Sequence, residues 1–161
     1  MKIISGGQSG VDRAALDVAL ELGIPCGGWC PNGRLAEDGV IASKYPLEQT
    51  PLVQYQQRTE WNARDSDGTL ILTIGKPEGG TLLTMDFARK HKRPCLVVDL
   101  ALPGGVQAVK DWILGHNIQA LNVAGPRASK QPDVYGRAAV VLKAIFSNIG
   151  VLQEPHNPKE T

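Results

Sequence analysis

Ser5-Gly6-Gly7-Gln8-Ser9-Gly10-Val11-Asp12-Arg13 follows the short apolar run Ile3-Ile4 and opens an amphipathic helical pattern. The succession reads as a strand, a glycine turn and a helix N-terminus. Glycines let the backbone approach a partner closely and take positive φ. The first-turn N–H groups of a helix have no intrahelical acceptor, and the dipole there is positive. A phosphate-like anion settles at such an end. The stretch is not a Walker loop, since no Gly-Lys-Ser/Thr follows. It comes near the dinucleotide fingerprint, but Ser5 stands in place of the first Gly and no acid lies about 20 residues on. Alone, it reads equally well as a tight turn without a ligand.

The feature recurs. Gly68-Thr-Leu-Ile-Leu-Thr-Ile74 is a near-continuous apolar run, as expected of a strand buried on both faces. Gly75-Lys76-Pro77-Glu78-Gly79-Gly80-Thr81 follows it, and Leu82, Leu83, Asp86, Phe87 and Arg89 enter a helix. Thr81 is placed to cap that helix or to bond a ligand oxygen. A third turn, Gly125-Pro126-Arg127-Ala128-Ser129-Lys130, separates a strand over 118–124 from a helix carrying Ala138, Val141, Leu142, Ile145 and Phe146 on one face.

Further elements fill the gaps. Val11, Ala14, Ala15, Val18, Ala19 and Leu22 form one stripe, which Gly23 and Pro25 terminate. Residues 25–29 read as a second strand, and 52–64 as a helix with Trp61 in the core and arginine stems around it. Pro94 to Val98 is a strand ending at Asp99. Pro103, Gly104 and Gly105 lead into a helix with Val106, Val109, Trp112 and Ile113, closed by Gly115. Pro31 to Pro51 shows no period and carries Arg34, Glu37, Asp38, Lys44 and Tyr45. A loop of that length inside a compact domain suggests a ligand-facing lid.

Strands and helices alternate throughout. That predicts one α/β domain over 1–150, doubly wound, with a mainly parallel sheet of about five strands and helices on both faces. Residues 151–161 read as a C-terminal tail, fraying or serving as an arm. In such a sheet the strand-to-helix loops emerge at one edge, so the three glycine turns and Asp99 converge there.

Composition limits the ligand. Among 161 residues, 17 basic and 16 acidic side chains give a formal charge of +1, which offers no global attraction for nucleic acid or an acidic membrane. Any anion site is therefore local. No run of about 18 apolar residues exists, so no membrane span is expected. Three cysteines fit a reducing compartment, and a cytoplasmic location is expected. Cys26 and Cys30 have no second pair to complete a zinc site and read as packed thiols.

Ser-Gly-Gly-Gln-Ser-Gly-Val-Asp-Arg-Ala-Ala-Leu at 5–16, Gly-Gly-Trp-Cys-Pro at 27–31, Arg58-Thr-Glu-Trp-Asn62, Arg64-Asp-Ser-Asp-Gly-Thr69 and the Gly79-Gly80-Thr81 turn resemble the molybdenum cofactor carrier proteins over about residues 2–150. The resemblance implies a Rossmann-like fold, a homo-oligomer (dimer or tetramer), and binding of a molybdopterin-type cofactor without turnover. It also implies molybdoenzymes or cofactor-synthesis proteins as partners. The chain is similar, more broadly, to the lysine-decarboxylase-like nucleotide-binding superfamily, which includes phosphoribohydrolases. Those enzymes carry Pro-Gly-Gly-x-Gly-Thr-x-x-Glu at this turn. Here Thr84 holds the glutamate position and Asp86 is displaced by two residues, so the acid supporting hydrolysis is missing and no catalytic residue is assigned. A nucleotide-binding module is the rival reading, and molybdate the simplest alternative ligand.

The expected site comprises Gly6, Gly7, Gln8, Ser9 and Gly10 of the first turn, and Gly75, Lys76, Gly79, Gly80 and Thr81 of the second. Arg13, Arg34 and Lys76 are expected to make charge-assisted bonds to phosphate or oxo-metal oxygens. Arg127 lies in the third turn. Asp99 is expected to accept from the donor edge of a heterocycle.

Overall fold

The computed structural model describes residues 1–147. In chain order the elements are β1 (Lys2–Ile4), α1 (Val11–Leu22), β2 (Cys26–Gly27), β3 (Trp29–Cys30), β4 (Leu35–Ala36), β5 (Gly39–Val40) and β6 (Glu48–Gln49). Then come α2 (Tyr55–Arg64), β7 (Gly68–Thr73), α3 (Gly79–Lys90), β8 (Cys95–Asp99), α4 (Gly105–Gly115), β9 (Ala120–Ala124) and α5 (Val134–Phe146). The central sheet has five strands in the order β2-β1-β9-β7-β8, with every pairing parallel. This is the expected Rossmann-like α/β architecture.

The sheet centre follows from the sequence. All six residues of β7 are buried, because a strand flanked by β9 and β8 and covered on both faces has no side left for water. Leu70 and Leu72 join Ile3, Leu121 and Val123 in one apolar cluster with the inward stripes of α1, α4 and α5. Each fully buried leucine or isoleucine there is worth about 2 kcal/mol. The alternate residues Thr69, Ile71 and Thr73 lie on the other face, where α2 and α3 pack together and α3 meets β7 and β8. α1 is buried at Val11, Ala14, Ala15, Val18 and Ala19. Leu22 is 38% exposed, so the stripe ends a turn before the helix does. Gly23 caps α1 in the left-handed region at φ 69°.

Four expectations need correction. The strand read over 25–29 is two strands that break at Gly28. β2 stays in the main sheet, while β3 pairs with β6 in a small sheet of its own. At Gly28 a Cβ would lie 2.3 Å from the Ser5 carbonyl oxygen, so the chain crosses β1 too closely for a side chain. The excursion from Pro31 to Pro51 does contain regular structure, the β4–β5 antiparallel pair and β6. Each of these strands is two residues long, too short to give a period. Trp61 is half-buried and meets Trp29 edge-to-face at 4.8 Å, with Arg64 over its ring at 4.7 Å. The buried positions of α2 are Arg58, Asn62 and Ala63. Thr81 does not cap α3, since the helix begins at Gly79 and its N-cap is Glu78. The tail at 151–161 and the domain limit at 150 lie outside the described residues.

Candidate functional site

A cavity of about 410 Å³ opens at the carboxyl ends of β1, β9 and β7. The first turn contributes Gly6, Gln8 and Asp12 to its wall, and the second Lys76, Glu78, Gly79, Gly80 and Thr81. Asn122, Ala124 and the loop from Gly125 to Gln131 close a third side. Tyr55, Arg58, Thr59 and Asn62 of α2 form the fourth. Four cations (Arg58, Lys76, Arg127, Lys130) and two acids (Asp12, Glu78) line the space, so its local charge is positive although the chain is almost neutral.

The amides differ from one wall to the next. In the first turn Gly7 N–H donates to Ser5 Oγ, Gln8 N–H to Asp12 Oδ2 and Ser9 N–H to Gln8 Oε1. Val11 N–H donates to the Pro126 carbonyl and Arg13 N–H to that of Gln8. At the start of α3, Thr81 N–H reaches the Glu78 carbonyl at 3.0 Å. The amides of Gly79 and Gly80 meet no acceptor among the described residues, and no side chain caps that helix. Two successive open amides thus face the cavity at the start of α3, while around the first turn the amides of Gly6, Gly10 and Asp12 meet no acceptor among the described residues.

Deep in the cavity Arg58 Nη1 pairs with Asp12 Oδ2 at 3.1 Å, and both side chains are about nine-tenths buried. Burial pushes the Asp12 carboxyl above the usual carboxylate range, while Arg58, the Gln8 amide and Arg13 pull it down. Arg58 Nε is buried without a partner. Gly6 leaves the room this pair needs: a Cβ there would lie 1.7 Å from Arg58 Nη1.

The model of the circularly permutated YpsA SLOG family matches residues 3–146. The chain belongs to that family. It is also similar to a crystal structure from Syntrophus aciditrophicus SB named "Putative molybdenum carrier protein", at 47% identity and a TM-score of 0.86, over 90% of this chain and 94% of that one. No curated protein matches the chain.

In this SLOG-family chain the cavity gathers Gly6, Gln8, Lys76, Gly79, Gly80, Thr81 and Arg127 from the residues the sequence pointed to. The others lie behind its walls. Gly7 sits on Leu47 and Ile41. Gly10 lies against the third turn, where a Cβ would come 2.3 Å from the Pro126 oxygen. Ser9 Oγ donates to Glu37 Oε1 and accepts from Ala128 N–H. Arg13 bonds the Gly7 carbonyl and the Asp38 carboxylate and lies over the Tyr45 ring. Arg34 donates to the carbonyls of Ile41, Ala42, Tyr45 and Leu47 at 2.9–3.2 Å, so it braces the excursion. Gly75 N–H and Ala101 N–H both donate to Asp99 Oδ1, at 3.1 and 2.9 Å. These amides, Ala101 first, hold the Asp99 carboxyl below the usual range. Asp99 ends the outermost strand, away from the cavity wall. No residue of the excursion lines the cavity. It clasps the first turn from behind, with Glu37 bound to Ser9 and Ser129 and Arg34 gathering its carbonyls.

The residues missed by sequence reasoning are mostly those of α2, together with Asp12, Asn122 and Lys130. A trace was present. Tyr55, Arg58, Asn62 recur at helical spacing on an element whose apolar stripe is poor, and a helix with a buried polar stripe borders a polar space. Asn62 also holds β3, accepting from Trp29 N–H at 2.8 Å and donating to the Trp29 carbonyl at 2.9 Å.

Proposed function

We propose that the chain binds, shields and carries a molybdopterin-type cofactor in this cavity. The observation that carries the reading is a volume of about 410 Å³, within the range of small-ligand pockets, whose wall combines the open N-terminus of α3 with lysine and arginine side chains. The cofactor's terminal phosphate suits the Gly79 and Gly80 amides with Lys76. An oxo-molybdenum anion suits the Thr81 hydroxyl and the cations Arg127 and Lys130. The Asn122 carboxamide offers an acceptor for the pterin edge. The likeness to a protein named as a molybdenum carrier points the same way.

Carriage without turnover is supported by Thr84. It stands where the related enzymes have glutamate, and its hydroxyl donates to the Gly80 carbonyl at 3.0 Å. In this reading the protein is a cytoplasmic homo-oligomer that passes its cargo to molybdoenzymes or to cofactor-synthesis proteins.

The deciding experiment is to purify the protein from a host that makes the cofactor, oxidise the extract, and identify bound molecules by pterin fluorescence and mass spectrometry. About one fluorescent pterin per chain is expected. Retention of adenosine or guanosine phosphates without pterin would replace the carrier with a nucleotide-binding module. Release of adenine from a nucleoside monophosphate would make the protein an enzyme.

A further inference from the structure

We infer that Gln131 is a positioning residue: its side chain sets the spacing between the two cationic walls of the cavity, and with it the length of ligand the cavity selects. The inference rests on the reading of the cavity as a site for an anionic ligand, and it names what fixes that ligand's reach.

The need for such a residue comes from the sheet. β9 gives its last pairing to β7 at Ala124, opposite Ile71. The chain then leaves the sheet at Gly125, where a Cβ would lie 2.1 Å from the Leu72 carbonyl oxygen. Ile74 is left beyond the end of the ladder, and the Gln131 side chain takes the place of the missing strand. Its Oε1 accepts from Ile74 N–H at 3.0 Å, and its Nε2 donates to the Ile74 carbonyl at 2.7 Å. A primary amide carries an acceptor and a donor side by side, so one side chain satisfies both main-chain groups of one residue.

These two bonds join two parts of the cavity wall. On one side the Arg127 carbonyl accepts from Lys130 N–H at 3.0 Å and from Gln131 N–H at 3.2 Å, so Arg127, Lys130 and Gln131 belong to one closed turn. On the other side Lys76 stands two residues after Ile74, ahead of α3. The third turn is fastened to the first by Val11 N–H on the Pro126 carbonyl and by Ala128 N–H on Ser9 Oγ. To the second turn it is fastened, among the described residues, by Gln131 alone. Lys76 and Lys130 line the cavity and form no ion pair among the described residues.

The consequence is selection by length. A ligand that is anionic at both ends meets one wall first, and its second contact is then intramolecular. The gain from that contact is greatest when the ligand matches the span and falls away on either side. A span held by two hydrogen bonds favours one length, and a span without them favours none. An anion held at one wall alone does not feel the spacing. In the proposed cofactor the phosphate and the oxo-metal group are the two ends.

The test compares inorganic phosphate with a series of α,ω-alkylene bisphosphonates of increasing chain length, by calorimetry on the intact protein. The wild type should bind one length best, about tenfold or more above phosphate. Gln131→Met keeps the side chain's length and removes both bonds. Gln131→Asn keeps the amide and is a methylene too short to hold both. Each variant, checked for a cooperative melt, should flatten the length profile while its affinity for inorganic phosphate stays within about twofold of the wild type. A purely structural role would weaken phosphate and the bisphosphonates alike. That outcome would overturn the inference, as would a flat wild-type profile, no saturable binding, or variants that keep the same preferred length at the same strength. A length preference that depends on Gln131 in a protein retaining no pterin would sink the cofactor reading and leave this one standing. Retained pterin with a profile indifferent to Gln131 would do the reverse.

Discussion

The first and second glycine turns share one plan: an apolar strand, a glycine-rich turn and a helix N-terminus on the same edge of the sheet. They use it differently. In the turn at Gly6–Gly10 most amides are met inside the protein, and the glycines allow pieces of chain to touch. Gly10 lies against Pro126, and Gly6 makes way for Arg58. In the turn at Gly75–Thr81 the glycines stand in open space, with Tyr55 Cε2 at 3.9 Å the nearest atom to a Cβ at Gly80 and none within 4 Å at Gly79. One turn is a packed joint and the other is an open cradle. A glycine-rich sequence alone does not separate a backbone that must meet another backbone from one that must meet a ligand. The destination of the amides does.

The sharpest way to break the contrast is a methyl group on each side. Gly10→Ala must hold alanine at φ 82° and ψ −129° with its Cβ 2.3 Å from the Pro126 oxygen. Strain and overpacking together should cost about 4 kcal/mol, or about 10 °C in Tm. Denaturant melts will show it, and a variant as stable as the wild type would mean that the joint is not packed. Gly80→Ala is the mirror experiment. The position is helical and uncrowded, so stability should stay within about 0.5 kcal/mol or rise. The methyl sits beside an open amide on the cavity wall, so binding of inorganic phosphate should weaken about tenfold, ~1.4 kcal/mol. Undiminished phosphate binding would move the anion away from α3.

This contrast also explains what the sequence could reveal. The fold was legible because β7, β8, β9 and the stripe of α1 carry their patterns within single elements. Gly68 to Thr73 is buried at every residue and reads so. The meeting of the three turns around one cavity was legible too, since parallel strands bring their helix junctions to one edge. The partner of each group was not. Arg13, Arg34 and Asp99 looked like ligand contacts because arginines and carboxylates near glycine loops are the groups anions and heterocycles need. Their actual partners are Asp38, four carbonyls of the excursion and two backbone amides, all fixed by tertiary packing. Arg58 looked like a stem around Trp61, yet it lies at the cavity floor against Asp12, 46 residues earlier. Long-range pairing of this kind leaves no period behind.

The smallest expected effect tests whether the first turn is held from behind. Glu37 accepts from Ser9 Oγ, from Ser129 Oγ at 2.6 Å and from Ser129 N–H at 3.1 Å. These donors, the Ser129 hydroxyl first and then Ser9, hold its carboxyl below the ordinary value of 4.5. A carboxylate depressed in the folded state stabilises fully above its unfolded value. That stabilisation is lost as pH falls through the folded one. The clasp should therefore be constant from pH 7 to 5 and weaken below about 4.5. Glu37→Gln should cost about 1 kcal/mol at pH 7, and the gap to the wild type should narrow as the carboxylate is protonated below its ordinary value. Amide exchange gives the local answer. In the variant, protection should fall across Gly6–Gly10 and the Ala128–Ser129 segment and stay unchanged at Gly75–Thr81, which makes no hydrogen bond to the excursion among the described residues. Equal loosening of both turns would show that the excursion supports the whole edge of the sheet, and the division into joint and cradle would fail.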